Sequence, residues 1–138
     1  MTELTTEHQS TPMKPDNEVR HDAREILTSA RAFIERGWTQ GALARNRQGM
    51  RCSAIMERDE ACAWCAVGAL DAGAYELFGR VDHAGIPLAA LTLKEVIFPE
   101  KPANHYLSDF NDAPERKKEE VISVYDKAIE RLKEDPSP

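Results

Sequence analysis

Ala61-Cys62-Ala63-Trp64-Cys65-Ala66-Val67-Gly68-Ala69-Leu70 is an apolar, small-residue stretch holding two of the chain's three cysteines and one of its two tryptophans. On a 3.6-residue period Ala61, Cys65, Gly68 and Ala72 fall on one side, a pattern that suits a helix crossed closely by another backbone. Arg58-Asp59-Glu60 precedes it, with Asp59 as a capping residue and Glu60 suited to the positive end of a helix dipole. The stretch therefore predicts a central helix that starts at Asp59 and continues through Tyr75, Leu77 and Phe78 to a break at Gly79. Gly68 within it costs about 1 kcal/mol relative to Ala, so a compensating close contact is expected, against the Ala23 and Ala30 face of a preceding helix.

Upstream of that stretch, Val19, Ala23, Ile26, Leu27, Ala30, Phe33 and Ile34 recur at spacings of three and four. They predict an amphipathic helix capped by Asp16 or Asn17 and ended at Gly37, with Arg20, Arg24, Glu25, Arg31 and Glu35 on its solvated face. The following segment is broken by glycines, and the turn residues of 46–49 favour a short β-hairpin over about 41–54, with 41–45 paired to 50–54. Downstream, Pro87 fits the first turn of a third helix carrying Leu88, Leu91, Leu93, Val96 and Ile97, which Pro99 and Pro102 stop. Residues 107–114 are dense in capping residues and read as a loop. A last helix runs from Ala113 or Arg116 to Lys133, with Val121, Ile122, Tyr125, Ala128, Ile129 and Leu132 on one face. The fold class expected is mainly α, a compact bundle of about four helices with a small β-hairpin. Residues 1–15 have the composition of a disordered leader, 16–134 of a single helical domain and 135–138 of a tail.

At 138 residues such a domain is large enough to bury a core without disulfides or metal. No apolar run approaches the length of a membrane span, and the polar N-terminus lacks a signal-peptide core, so a cytoplasmic location without a membrane partner is expected. The formal net charge of -6 opposes non-specific nucleic-acid binding. Arg36, Arg45, Arg47, Arg51 and Arg58, against Glu57 alone, make residues 36–58 a basic middle. It suits a small anion or, more simply, the chain's own acidic helices.

Three cysteines in a cytoplasmic chain read first as reduced core residues. Zinc on Cys52, Cys62 and Cys65 would need His83 or His105 as a fourth ligand, and the spacing is a poor one for zinc. Thiol-disulfide chemistry at Cys62 and Cys65 would need a parallel sheet that the sequence does not predict. Cys65 as a nucleophile, with His83 or His105 as base and Asp109 or Asp112 as orienting acid, has the residue types of a triad and nothing that fixes their geometry. Asp109, Asn111 and Asp112 present spaced oxygens but lack the glycine and the later glutamate of a calcium loop, so capping and turn formation are the simpler roles. No cofactor is implied.

The combination of 37–42 (GWTQGA) and Ala44-Arg45 with 64–70 (WCAVGAL), 109–112 (DFND), Glu119-Glu120-Val121 and 125–129 (YDKAI) resembles a family of short bacterial and phage proteins of unknown function. The resemblance covers about residues 30–132 and implies domain limits but no activity. Two positions depart from the family pattern. Lys117 stands where Thr is frequent and would cap the last helix, which leaves Asp112, with Pro114 in the first turn, to cap it earlier. Phe110 stands where Trp is frequent, and lacks an indole donor.

Trp38, Gln40 and Arg45 lie together in a non-helical segment, where a core role accounts for the tryptophan only. With Asp109, Asn111 and Asp112 they form the candidate binding set. The competing reading is an ion pair from Arg45 to Asp109 or Asp112 that ties the hairpin to the last helix. The function expected is that of a small non-enzymatic binding or regulatory protein, phage-associated as the resemblance implies. It would meet an unknown protein or small ligand near the hairpin and the 109–112 loop. The alternative is a small enzyme using Cys65 or the Asp109, Asn111 and Asp112 cluster.

Overall fold

The structure is a computed structural model and describes residues 17–133. The leader over 1–15, the cap at Asp16 and the tail over 135–138 lie outside the described residues. Five helices and three short strands follow one another: α1 (Asn17–Arg36), β1 (Ala44–Asn46), β2 (Arg51–Cys52), β3 (Ala61–Trp64), α2 (Ala66–Phe78), α3 (Gly85–Ile97), α4 (Leu107–Asn111) and α5 (Lys118–Lys133). A 3-10 turn, Pro102–Asn104, joins α3 to α4. The chain is mainly helical, as the periodicity predicts, with a small antiparallel sheet that contains the expected hairpin.

The helix α1 is the hub, packing on α2, α3 and α5. Its buried stripe, Ala23, Ile26, Leu27, Ala30 and Ile34, is the one read from sequence. The stripe of α5, Val121, Tyr125, Ala128 and Leu132, closes the core from the opposite side. Arg31, assigned to the solvated face of α1, instead ion-pairs with Asp126 of α5 and Glu35 of α1. The last helix starts at Lys118, later than expected. Glu120 reaches back to accept the Lys117 backbone N–H at 2.9 Å, the half of a capping box that does not need a threonine at 117. The same hydrogen bond, with Arg116 beside it, holds the Glu120 carboxyl below the usual range.

The central stretch is only partly a helix. β1 pairs antiparallel with β2, in the register Ala44 to Cys52 and Arg45 to Arg51, which is the expected hairpin. Its other edge pairs with β3, so residues 61–64 are a third strand rather than the start of α2. Along β3 Ala61 and Trp64 are buried, Cys62 is exposed and Ala63 is intermediate, so each face of the strand is covered at one of its ends. Local helix preference of Ala61 and Ala63 yields to the backbone hydrogen bonds that β1 offers. On the far side of β3, the Trp64 N–H donates to the Gly37 carbonyl at 3.0 Å and the Thr39 N–H to the Trp64 carbonyl at 3.1 Å. Small residues are needed there because a Cβ on Gly37 would stand 2.1 Å from the Cys62 carbonyl oxygen.

The helix α2 begins after Cys65, whose extended backbone (φ -87°, ψ 178°) and Sγ cap it by accepting the Gly68 N–H at 3.3 Å. It ends at Gly79 (φ 73°), the break expected from sequence. Gly68 does make a close contact, but with a different partner: its missing Cβ is replaced by the Leu43 carbonyl. The close crossing with α1 falls one helical turn later, at Gly73, against the backbone of Ile26 and Ala30.

Candidate functional site

Trp38, Gln40, Asn111 and Asp112 of the candidate set come together where the segment after α1, the start of α2 and the end of α4 meet. Asn111 is fully buried. Its Oδ1 accepts the Trp38 indole N–H at 2.8 Å and the Ala66 backbone N–H at 3.0 Å. Its Nδ2 donates to the Thr39 carbonyl at 3.0 Å and to Asp112 Oδ1 at 2.9 Å. All four hydrogen-bonding capacities of the amide are therefore filled. Gln40 Nε2 donates to the carbonyls of Asn111 and Ala113, each at 2.9 Å, and Asp112 Oδ1 also accepts the Gly41 N–H at 3.0 Å. From the opposite side the Tyr125 hydroxyl donates to the Ala66 carbonyl at 2.6 Å. Burial pushes that phenol well above its ordinary pKa. Asn111 and Tyr125 thus grip both ends of one residue in the first turn of α2, where backbone N–H groups otherwise lack partners.

Arg45 makes no ion pair with Asp109 or Asp112. Its Nε donates to Thr39 Oγ1 at 2.8 Å, and its two terminal nitrogens to the carbonyls of Gly49 and Gln40, each at 3.0 Å. The guanidinium fork spans the hairpin turn and the 39–40 segment, a job for a rigid planar donor. Asp112 does not cap α5; it caps the network just described. Asp109 is exposed in the short helix α4 and contributes no side-chain hydrogen bond to the network.

On another side of the hairpin the chain forms a concave surface of different character. A cavity of about 350 Å³ is floored by Phe33, Ala54, Trp64, Ala72 and Tyr75. Arg58, Asp59 and Glu76 edge it. The Phe33 and Trp64 rings meet edge to face with centroids 4.8 Å apart. Guanidinium groups cover the ring faces: Arg36 lies 5.0 Å from the Phe33 centroid and 5.2 Å from that of Trp64, and Arg58 lies 4.5 Å from that of Tyr75. The Trp64 indole N–H is buried without a hydrogen-bond partner, the one such side-chain atom among the described residues. Buried indole donors ordinarily find an acceptor. Sequence reading placed Phe33, Trp64 and Tyr75 in the core and missed this grouping, because α1, β3 and α2 contribute one ring each. The hint available was the pair of arginines, Arg36 and Arg58, that bound the basic stretch.

Over residues 18–131 the sequence matches the family described as a family of unknown function, DUF6197. The chain belongs to that family. No curated protein and no solved structure shows a match. The motifs that carry the earlier resemblance, 37–42, 64–70 and 109–112, are the segments that build the Asn111 network, so in this DUF6197 member the motif residues do structural work.

The cysteine chemistry weighed from sequence finds little support in the same DUF6197 fold. Cys65 is buried as a helix cap, and burial pushes its thiol up, against the Gly68 N–H that favours the thiolate. His83 stacks on Phe78, accepts the Gly85 N–H at Nδ1 and has Asp22 3.4 Å from Nε2; His105 stacks on Phe98. Neither is a partner of Cys65, so no Cys-His-Asp arrangement is assembled from these residues. Among the described residues no three His, Cys, Asp or Glu side chains group in a way that could hold a metal ion. No described helix is long and apolar enough to cross a membrane. Exposed Cys62 is expected to react with iodoacetamide in the folded protein within minutes, and Cys65 only on unfolding. Peptide mass spectrometry after graded exposure checks the order, and equal rates would revive Cys65 as a nucleophile.

Proposed function

We propose that this protein acts by non-covalent binding of a small molecule, at the cavity between α1, β3 and α2. The observation that carries the reading is a concave, mainly aromatic floor edged by a few charged side chains. Small-molecule sites generally combine apolar enclosure with a small number of polar groups in this way. The contact surface thus moves from the 109–112 loop, whose amide groups are occupied within the fold, to the side of the hairpin facing Trp64. Catalysis through Cys65, or through Asp109, Asn111 and Asp112, has less behind it, since Cys65 caps a helix and Asn111 is fully bonded. A cytoplasmic location and a phage association belong to the same proposal and rest on composition and motif resemblance.

The test is retention of small molecules from a bacterial metabolite extract by the full chain, read by mass spectrometry, against an Ala72→Met variant that fills the cavity. Wild type is expected to retain at least one compound that the variant releases. Identical retained sets, with both proteins folded by circular dichroism, would remove the cavity from consideration.

A further inference from the structure

The charges that line the cavity narrow what it can take. Arg58 stands there against two carboxylates, Asp59 and Glu76, so the lining is net negative. Neither carboxylate forms an ion pair or a side-chain hydrogen bond among the described residues, although both share the edge with a guanidinium. That guanidinium lies instead 4.5 Å from the Tyr75 ring centroid, with one N–H donated to the Ile55 carbonyl at 3.0 Å. A cation over an aromatic face is attracted by the ring's quadrupole. The Phe33 and Trp64 rings pack edge to face on each other, which leaves no slot between them for a flat ligand. Arg36, which does not line the cavity, already covers both. The Tyr75 face is thus the aromatic surface that a ligand reaches by moving one exposed side chain, Arg58.

We infer that the cavity binds a small organic cation of the methylated-ammonium class, which takes the place of the Arg58 guanidinium on the Tyr75 ring and is balanced by Asp59 and Glu76. The inference rests on the small-molecule reading above and adds the ligand's charge. Entry requires Arg58 to swing from the ring into solvent, a rotamer change on an exposed, flexible stem. The exchange keeps the cation on the aromatic face and brings positive charge to two carboxylates that Arg58 leaves unpaired. Both carboxylates are exposed, so each contributes modestly.

The experiment titrates the full 13C-labelled chain at fixed ionic strength with choline, its uncharged isostere 3,3-dimethylbutan-1-ol and the anion 3,3-dimethylbutanoate, following the tyrosine ring resonances. Those of Tyr75 are assigned by their loss in Tyr75→Phe. Choline is expected to shift the Tyr75 signals saturably and to bind more tightly than the other two. Tyr106, exposed and 5.9 Å from the Lys94 ammonium, serves as the control for non-specific adsorption and should stay unmoved. Glu76→Gln should weaken choline about twofold and Arg58→Gln should tighten it about threefold, the range of exposed charge pairs. Weaker choline binding in Arg58→Gln would overturn the displacement of that side chain. If the alcohol or the carboxylate binds as tightly as choline, the charge assignment is overturned while the cavity remains a small-molecule site. If none of the three moves the Tyr75 signals, the cation assignment fails, and the retention test against Ala72→Met decides separately whether the cavity binds small molecules at all.

Discussion

Asn111→Asp is expected to destabilise the fold by about 3 kcal/mol or more at pH 7, with the loss shrinking as pH falls. The substitution conserves shape and replaces a donor by an acceptor. The group that gave hydrogen bonds to the Thr39 carbonyl and Asp112 Oδ1 becomes an oxygen facing both at 3.0 and 2.9 Å. At pH 7 it also carries a charge in a fully buried position beside a second carboxylate. Those conditions raise the folded-state pKa of the new carboxyl above its unfolded value of about 3.9. The linkage sign follows: stability is highest below the unfolded pKa, where the protonated acid can donate to Thr39 or Asp112, and is lost as pH rises through the raised folded pKa. Urea unfolding of wild type and variant at pH 7 and at about pH 4.5 measures the difference, which should narrow in the acid. Adding Asp112→Asn should recover part of the loss by removing the neighbouring charge. Parallel pH profiles for wild type and Asn111→Asp would mean that Asn111 is not the junction of this fold.

The helical part of the architecture was legible because α1, α3 and α5 bury a stripe against one another, and burial of that kind leaves a 3.6-residue record in the sequence. The hairpin was legible through its turn chemistry. What was misread is the entry to α2, where Ala61, Cys62, Ala63 and Trp64 are small or apolar enough to fit a helix or a strand. Their pairing with β1 and their approach to Gly37 are contacts between segments remote in sequence, which no local period reports. The short helix α4 reads as a loop in the sequence because five residues carry too little periodicity to register. For the candidate set, sequence singles out Trp38, Gln40, Arg45, Asp109, Asn111 and Asp112 as a binding surface, and the structure engages all but Asp109 in side-chain hydrogen bonds within the fold. Sequence could not tell whether such polar residues face a ligand or one another. That distinction depends on Asn111 being buried with four partners, a fact of tertiary placement. The cavity aromatics erred the other way, since each ring taken alone fits a core.

Gly68→Ala is expected to reverse the usual sign of a glycine replacement within a helix. In an unobstructed helix the change stabilises by about 1 kcal/mol through backbone entropy. Here the added Cβ would stand 2.0 Å from the Leu43 carbonyl oxygen and 2.7 Å from its carbon, both backbone atoms with no rotamer to yield. The same carbonyl accepts the Cys65 N–H at 3.1 Å, so displacing it loosens the residue that caps α2. The net loss should reach about 2–4 kcal/mol, combining overpacking with a weakened buried hydrogen bond. Gly73→Ala, on the same helix, meets its nearest atom at 2.9 Å, and should cost less. Denaturant melts of the two variants give the order, and stabilisation by Gly68→Ala would refute the close seam between α2 and the hairpin. The thiol supplies an independent reading of the same event. If the alanine pushes Leu43 away and the α2 cap opens, Cys65 in the folded variant should alkylate faster than in wild type while Cys62 keeps its rate, because only Cys65 is held by that seam.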